Sequence, residues 1–156
     1  MMKVCIVTVS DRAFRGEYAD LSGPEIERLI GEEFPVCQIS RELVPDEAGE
    51  LHRVFSRHLD DDFILTTGGT GLSARDITPQ TTIDFCDQRL PGIEETLRME
   101  SLSETRSAML SRGAAGMKGK TIIVNFPGSV RGAVFCTRIL LPVMEHAVRM
   151  IHGESH

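Results

Sequence analysis

Short apolar segments alternate with amphipathic segments in the first half of the chain. Residues 3–9 are rich in Val and Ile, residues 36–44 alternate between apolar and polar side chains, and residues 63–65 are entirely apolar. These patterns predict two buried strands with a half-exposed strand between them. The two segments that separate the strands carry apolar side chains at helical spacing and predict amphipathic helices, with Ile26, Leu29 and Ile30 in the first and Leu51, Val54, Phe55 and Leu59 in the second.

The second half of the chain predicts further helices and strands. Thr78 and Pro79 have the form of a helix start, and the helix that they begin is broken at residues 91–92. A polar helical segment follows, from residue 93 to about residue 111. Two strands and a long apolar helix complete the pattern, at residues 114–117, 120–126 and 130–151, and we expect the last helix to be bent or interrupted at Pro142.

This order of strands and helices predicts the fold class. We expect an α/β fold, a three-layer α/β/α sandwich with a mostly parallel central sheet. The sequence has no internal repeat, low-complexity tract or linker, so residues 1–156 are predicted to form a single domain. Ligands of such sheets lie at the carboxyl ends of the strands. Three segments follow the carboxyl ends of predicted strands and contain polar side chains or glycines that could bind a ligand, at residues 10–12, 67–78 and 125–129.

Four polar residues lie where helices are predicted to begin. Ser22 is followed three residues later by Glu25, as in a capping box, and is therefore predicted to be an N-cap. Thr78 and Ser129 are predicted N-caps as well. Asp46 occupies the corresponding position before the second helix. For Asp46 and Ser129, capping and ligand binding both fit the residue type.

Composition narrows the choice of partners. The chain has 17 Lys and Arg against 23 Asp and Glu, a net charge of −6, no Trp and one Tyr. This balance, without a basic cluster or stacking aromatics, disfavours nucleic-acid binding. No apolar run approaches the roughly 20 residues of a membrane span and no signal peptide is recognisable, so we expect a cytoplasmic protein without membrane association. The four cysteines form no CxxC pair and are expected to be buried free thiols.

The most informative segment is the glycine-rich stretch Thr66–Gly71, which directly follows a predicted strand. Glycines let the backbone approach a ligand closely and present N–H donors, which suits phosphate or another anion. Asp76 follows and can hold a cation that neutralises the anion. The stretch is not a GxxxxGK[ST] phosphate loop, because no lysine follows it. By itself it fits a tight strand-to-helix turn with positive φ equally well.

The longer string from Thr66 to Pro79 closely resembles the signature of the molybdenum-cofactor biosynthesis family, and within it the molybdopterin adenylyltransferase branch. The resemblance extends from Val4 to about Gly153. Further segments resemble the motifs of this family in the expected order, at residues 9–12, 20–24, 44–47, 109–112 and 125–129.

The resemblance implies a reaction in which ATP and molybdopterin give adenylylated molybdopterin and pyrophosphate, with Mg²⁺. Asp76 and Asp46 match the family's functional carboxylates and would act as catalytic groups and metal ligands. The family is typically trimeric, so a homotrimer is expected, with the molybdenum-inserting enzyme as a candidate partner. The matching nucleotide- or pterin-binding positions are Ser10, Asp11, Gly68, Gly69, Thr70, Gly71, Thr78, Ser111, Arg112, Pro127, Gly128 and Ser129.

Two other functions stay open. A non-catalytic or scaffolding relative would bind molybdopterin without turnover, although the presence of both Asp46 and Asp76 argues against it. Molybdopterin molybdotransferases carry the fold inside a much longer chain, and we do not expect 156 residues to hold their extra domains. Two of the predicted site residues also have simpler explanations. Asp76 could serve merely as an ion-pair partner of Arg75, and Asp11 could serve merely to close a turn.

Overall fold

Six strands form one sheet in the computed structural model, which describes residues 1–154; the last two residues of the expected domain lie outside the described residues. The strands lie in the order β2-β1-β3-β6-β5-β4. The first four in this order are parallel, β5 pairs antiparallel with β6, and β4 pairs antiparallel with β5 at the edge, so the mostly parallel sheet is confirmed. Their bounds are β1 Lys3–Val9, β2 Gln38–Val44, β3 Phe63–Thr67, β4 Gln88–Arg89, β5 Ala115–Lys118 and β6 Thr121–Phe126.

Helices cover both faces of the sheet, as the three-layer prediction requires. Val4 and Ile6 of β1 pack against α2, α5 and α6, whereas Cys5, Val7 and Val9 pack against α3 and α4. This alternation follows from the two-residue period of a strand, which turns successive side chains to opposite faces. The helices are α1 Asp11–Phe14, α2 Ser22–Glu33, α3 Ala48–Arg57, α4 Thr78–Phe85, α5 Pro91–Ser101 and α6 Val130–Ile151, with a 3₁₀ helix at Arg106–Leu110.

The strand registers bring four chain segments to one edge of the sheet. Val9 pairs with Val44, Thr8 pairs with Thr67, and Thr67 pairs with Phe126. The chain runs from β1 to β2 on one side and then returns to place β3 on the other side of β1. Strand order therefore reverses between β1 and β3, and the crevice at such a switch point is where open α/β sheets bind ligands.

Two of the predicted N-caps are wrong. Ser22 lies inside α2, and the amide of Gly23 donates instead to Asp20 Oδ1 at 3.1 Å. Thr78 is the first residue of α4, and its hydroxyl donates to the carbonyl of Gly68 at 3.0 Å. In both cases the side chain has a partner in a distant segment, since the Ser22 hydroxyl accepts a hydrogen bond from the Thr67 hydroxyl at 3.2 Å.

The other two helix starts have different outcomes. Ser129 is an N-cap, because its hydroxyl accepts a hydrogen bond from the amide of Gly132 at 3.1 Å. Asp46 is not the cap of α3, since Glu47 occupies that position. Capping therefore does not explain Asp46, and its carboxylate belongs to the network described below.

The remaining differences concern segment boundaries. α6 continues through Pro142, so the helix is not interrupted there, and the alternative of a bend stays a prediction; Leu140 and Met144, before and after the proline, are both buried in the core. The polar segment after residue 93 splits into α5 and the 3₁₀ helix, and the half-exposed strand begins at Gln38. The short α1 and the two-residue β4 were not predicted, because neither is long enough to carry a periodic pattern.

The cysteines are free but not all buried. Cys5 and Cys136 are buried, whereas Cys37 and Cys86 are only half-buried, so the expectation of four buried thiols is wrong for these two. Burial raises the pKa of the Cys5 thiol to about 12. None of the helices within residues 1–154 is long and apolar enough to cross a membrane.

Gly68, which follows β3, lies so close to the end of β1 that replacing it is predicted to destabilise the fold. Gly68 has a φ of +103°, and a Cβ there would lie 2.3 Å from the carbonyl oxygen of Val9. We expect Gly68→Ala to lower the free energy of unfolding by about 2 kcal/mol or more, measured by urea denaturation. Gly16→Ala is the matched control, because Gly16 also has positive φ but open space around it, and it should cost about 1 kcal/mol. Equal losses in the two variants would contradict the steric explanation.

Candidate functional site

A polar cavity of about 350 Å³ lies at the switch point between β1 and β3. Thr8 and Thr67, from the ends of these two strands, line it together with Asp20 from the segment before α2. Six residues that the sequence predicted as site residues meet in this cavity: Ser10, Asp46, Gly68, Gly69, Asp76 and Gly128. The structure therefore brings together segments that are up to 118 positions apart, from residue 10 to residue 128.

The two predicted catalytic carboxylates flank the glycine loop, which is defined here as residues 68–71. A Cβ on Gly69 would lie 3.0 Å from Asp46 Oδ1, and a Cβ on Gly71 would lie 2.9 Å from Asp76 Oδ2. Any larger side chain at either glycine would therefore meet a carboxylate. The glycines are needed both for positive φ at Gly68 and Gly69 and for this close approach, so the turn and the ligand-site explanations are compatible.

Hydrogen bonds fix the glycine loop from two directions. The amide of Gly68 donates to the carbonyl of Phe126 at 3.2 Å, which anchors the loop to the end of β6. From the other side, the Thr78 amide donates to the carbonyl of Gly69 at 3.2 Å, and its hydroxyl bonds Gly68. The first two glycines of the loop are thus fixed by protein contacts from both directions.

Asp11 and Asp46 are joined by a reciprocal pair of hydrogen bonds. The amide of Asp11 donates to Asp46 Oδ2 at 2.8 Å, and the amide of Asp46 donates to Asp11 Oδ1 at 2.9 Å. Arg75 binds the Asp11 carboxylate through two nitrogens, at 2.9 and 2.8 Å. Asp76 does not pair with Arg75, and its Oδ2 accepts a hydrogen bond from the amide of Ser73 at 2.9 Å. The explanation of Asp76 as a simple partner of Arg75 is therefore wrong.

These contacts shift the pKa values of the two paired aspartates in opposite directions. The hydrogen-bonded Arg75 guanidinium lowers the pKa of Asp11. Burial raises the pKa of Asp46, and the nearby carboxylates of Asp11 and Asp76 raise it further against the opposing effect of the Asp11 amide. The negative charge of Asp46 is thus the poorly compensated one, and a bound cation would stabilise it.

A second, larger cavity of about 420 Å³ shares the glycine loop. Its walls are mainly apolar and include Leu97 of α5 and Phe135 of α6, with Arg98 and Arg131 among the charged residues that line it. The predicted site residues found here are Thr70, Gly71, Ser111, Pro127 and Ser129. The residues predicted as one site therefore divide between two cavities that meet at the loop.

Asp11, Thr78 and Arg112 line neither cavity. Arg112 contacts the glycine loop through its guanidinium, which donates to the carbonyls of Gly71 at 2.8 Å and Asp76 at 2.6 Å. Its geometry suits a group that positions the Asp76 segment. This geometry does not favour the predicted role of Arg112 in direct contact with pterin or phosphate, because its guanidinium is bonded to backbone carbonyls.

Two residues around the polar cavity were not predicted as site residues, although one of them, Asp20, lies in the segment at residues 20–24 that resembles a family motif. Asp20 accepts a hydrogen bond from the Thr8 hydroxyl at 2.7 Å, and the Tyr18 hydroxyl pairs with that of Ser10 at 2.8 Å. An aspartate three residues before a helical glycine is a common capping pattern and could have identified Asp20. Tyr18 carries no such signal.

Asn125 was also missed as an individual residue. Its amide nitrogen donates to the hydroxyls of Thr66 at 3.0 Å and Thr82 at 2.9 Å, and its oxygen accepts from the amide of Ala114 at 3.0 Å. This buried network ties the ends of β3 and β6 to α4, so it fixes the strand ends from which both cavities are built.

The site is chemically suited to a phosphate-bearing ligand together with a divalent cation. Asp46 and Asp76 offer only oxygen ligands, which Mg²⁺ prefers, and a cation would compensate the Asp46 charge, whose pKa is raised by burial and, to a lesser extent, by the nearby carboxylates. The N-terminus of α6, at Ser129, adds a second position that is favourable for an anion. The residues present therefore fit Mg²⁺.

Fold and site together define a doubly wound α/β protein with a crevice at the switch point, where six of the predicted site residues meet. Residues 5–146 match the family model described as a probable molybdopterin binding domain. The chain belongs to this molybdopterin-binding family of molybdenum-cofactor biosynthesis proteins.

Known proteins are similar to this chain over most of its length. A molybdopterin adenylyltransferase of Helicobacter pylori strain J99 is 37% identical over 152 residues, covering 95% of this chain and 86% of that protein. The crystal structure of the molybdopterin biosynthesis enzyme MoaB from Thermus thermophilus superposes with a TM-score of 0.90 at 40% identity, covering 98% of both chains. The molybdenum cofactor synthesis protein cinnamon of Drosophila melanogaster is 36% identical over 149 residues, 94% of this chain, which spans only 25% of that protein.

The opposite pKa shifts predict opposite effects of two substitutions on stability. Because the folded-state pKa of Asp46 is raised, ionising Asp46 destabilises the fold as pH rises through that pKa, and Asp46→Asn removes the penalty. We expect Asp46→Asn to raise the melting temperature at pH 7.5 by a few degrees and to lose this advantage as the pH falls towards ~4.

Asp11→Asn is the matched control for this measurement. The folded-state pKa of Asp11 is lowered, so its charge stabilises the fold at neutral pH and the stabilisation is lost as pH falls through that pKa. Asp11→Asn should therefore lower the melting temperature at pH 7.5. Melting curves in which both variants shift in the same direction would refute the electrostatic assignment.

Proposed function

We propose that the protein is a molybdopterin adenylyltransferase, which transfers AMP from Mg-ATP to molybdopterin and releases pyrophosphate. The observation that carries the proposal is the placement of Asp46 and Asp76 against two glycines of the same loop, at Gly69 and Gly71. A loop that offers backbone amides between two carboxylates suits a triphosphate and its metal ion. Family membership and the relatives that bear this name support the choice of substrate.

The proposed reaction is a substitution at the α-phosphorus of ATP. A terminal phosphate oxygen of molybdopterin forms the new bond to phosphorus, and the bond between the α-phosphorus and the bridging oxygen breaks to release pyrophosphate. Negative charge on the phosphates must be stabilised throughout, so positioning and electrostatics supply most of the rate. Mg²⁺, held by Asp46 and Asp76, would neutralise part of this charge.

The backbone of the glycine loop would position the ATP phosphates. Gly68 and Gly69 line the polar cavity, and Thr70 and Gly71 line the apolar one, so a ligand that crosses the loop can occupy both. Phosphates and metal suit the polar cavity, whereas a flat ring suits the apolar cavity. This division gives two substrates a common meeting point at the loop.

The other predicted site residues receive roles from their positions. Ser10 and Gly128 line the polar cavity and would border the phosphates there, and Ser111, Pro127 and Ser129 line the apolar one and would contact the ligand in it. Asp11, Thr78 and Arg112 position the loop and the carboxylates, Asp11 through Asp46 and the other two through the loop itself.

We further propose that residues 1–156 act as a single cytoplasmic domain, assemble as a homotrimer and deliver the product to a molybdenum-inserting enzyme. Exposed apolar side chains on α6, such as Val143 and Met150, are compatible with a subunit interface. Sedimentation analysis of the purified chain measures the assembly directly.

The second candidate function is binding of molybdopterin without turnover. The presence of both Asp46 and Asp76 beside the glycine loop favours the enzyme, because binding of molybdopterin alone does not require two carboxylates that can hold a metal ion. Pyrophosphate release separates the two functions: binding of molybdopterin without ATP consumption by the wild-type chain would establish the binding protein.

The decisive variant of the proposed enzyme is Asp76→Asn, which keeps the shape of the side chain and removes its charge. We expect kcat for ATP-dependent pyrophosphate release to fall by about 10²-fold or more. Asp84→Asn is the control, because Asp84 is an exposed aspartate of α4 outside both cavities. An unchanged rate in Asp76→Asn would overturn the proposed mechanism.

A further inference from the structure

A cluster of metal-ligating side chains lies at the opposite end of the sheet from the glycine loop. It comprises Cys5 of β1, His58 at the C-terminal end of α3, and Asp61, which lies just before β3. Because the glycine loop follows the end of β3, this cluster and the proposed active site are at opposite ends of the same strand. Nothing in the proposed adenylyl transfer uses it.

The ligand atoms of the cluster are already close together. Cys5 Sγ, one ring nitrogen of His58 and one carboxylate oxygen of Asp61 all lie within 4.8 Å of one another. Ligands of a tetrahedral Zn²⁺ ion are about 3.3–3.8 Å apart, given Zn–N and Zn–S bonds of about 2.0–2.3 Å. Small side-chain movements would therefore bring the three atoms into a coordination sphere.

A fourth side chain supports this geometry. His58 Nδ1 lies 2.8 Å from Asp61 Oδ2, and His58 Nε2 lies 3.1 Å from Glu42 Oε1. When one ring nitrogen of a histidine binds a metal, the other is normally held by a carboxylate, which fixes the orientation of the ring. His58 has a carboxylate on each side, so one can join the metal while the other orients the ring.

We propose that Cys5, His58 and Asp61 bind a thiophilic divalent cation of the Zn²⁺ type, with Glu42 as the supporting carboxylate. The mixed sulfur, nitrogen and oxygen set matches Zn²⁺ and disfavours Mg²⁺ and Ca²⁺, which take oxygen ligands. The C-terminal end of α3 also favours a cation at this place. The ion would join β1, α3 and the start of β3 and so stabilise the fold, apart from the proposed catalysis.

The site can be reached from solvent although its sulfur is internal. The side chains of His58 and Asp61 are each 17% exposed, whereas Cys5 is fully buried on the face that packs against α3. The competing explanation is a hydrogen-bonded cluster of His58 with its two carboxylates, in which Cys5 has no part. Involvement of the Cys5 sulfur therefore separates the two explanations.

The test is metal binding by the full chain after removal of metals with a chelator. We expect one equivalent of Zn²⁺ to bind in competition with a colorimetric chelator and to raise the melting temperature. We expect Co²⁺ to give the near-ultraviolet charge-transfer absorption of a thiolate ligand. Co²⁺ bound at Asp46 and Asp76 would lack this absorption, so the spectrum distinguishes the two sites, and it requires no variant to fold.

Matched variants assign the absorption to this cluster. Cys5→Ser and His58→Gln should each weaken Zn²⁺ binding by at least about tenfold, and Cys5→Ser should abolish the thiolate absorption. Cys136→Ser removes a buried thiol on the other face, and His152→Gln removes a histidine whose Nε2 lies 3.6 Å from Asp62 Oδ1. Both controls should bind Zn²⁺ as tightly as wild type. Absence of the thiolate absorption in the wild-type protein, or undiminished binding by Cys5→Ser, would overturn the proposal.

Discussion

The close contact between the glycine loop and the end of β1 is the constraint on which the site depends. Gly68 lies so near the carbonyl of Val9 that no side chain fits between them. Because this contact joins two backbones, it sets the position of the loop amides relative to the strand ends. Asp46 and Asp76 can then approach the next glycines of the loop, and the crevice between β1 and β3 acquires amides and carboxylates at fixed places. The proposed phosphate and metal chemistry requires that arrangement.

Electrostatics explains why the arrangement is costly without a ligand. Three aspartates gather around one loop, and Arg75 forms its salt bridge with Asp11 and offsets the charge of Asp46 only weakly. Asp46 is left partly buried beside two like charges, which raises its pKa and destabilises the substrate-free fold. A divalent cation with a phosphate ligand would relieve this repulsion, so ligand binding and folding stability are linked at Asp46. Loss of stability at a site of function is a common compromise in enzymes.

Much of the fold could be predicted from the sequence, because strand and helix periodicity reflects burial and the two faces of this sheet are both covered. The ends of the strands and the position of the glycine loop followed from the same pattern, whereas Asp46 and Asp76 were assigned as catalytic carboxylates by the family resemblance. Contacts between distant segments could not be predicted. Arg75 adjoins Asp76 but pairs with Asp11, 64 positions away, and the hydroxyl of Thr78 binds the Gly68 carbonyl although it could have capped α4. The division of the site into two cavities depends on such tertiary contacts.

A crystal structure with Mg²⁺ and an ATP analogue that resists cleavage between the α- and β-phosphates tests the central claim most directly. The account predicts phosphate oxygens within about 3 Å of the amides of the glycine loop, and a metal ion that both Asp46 and Asp76 approach directly or through one water. Phosphates bound away from residues 68–71, or a metal ion that neither aspartate approaches, would contradict it.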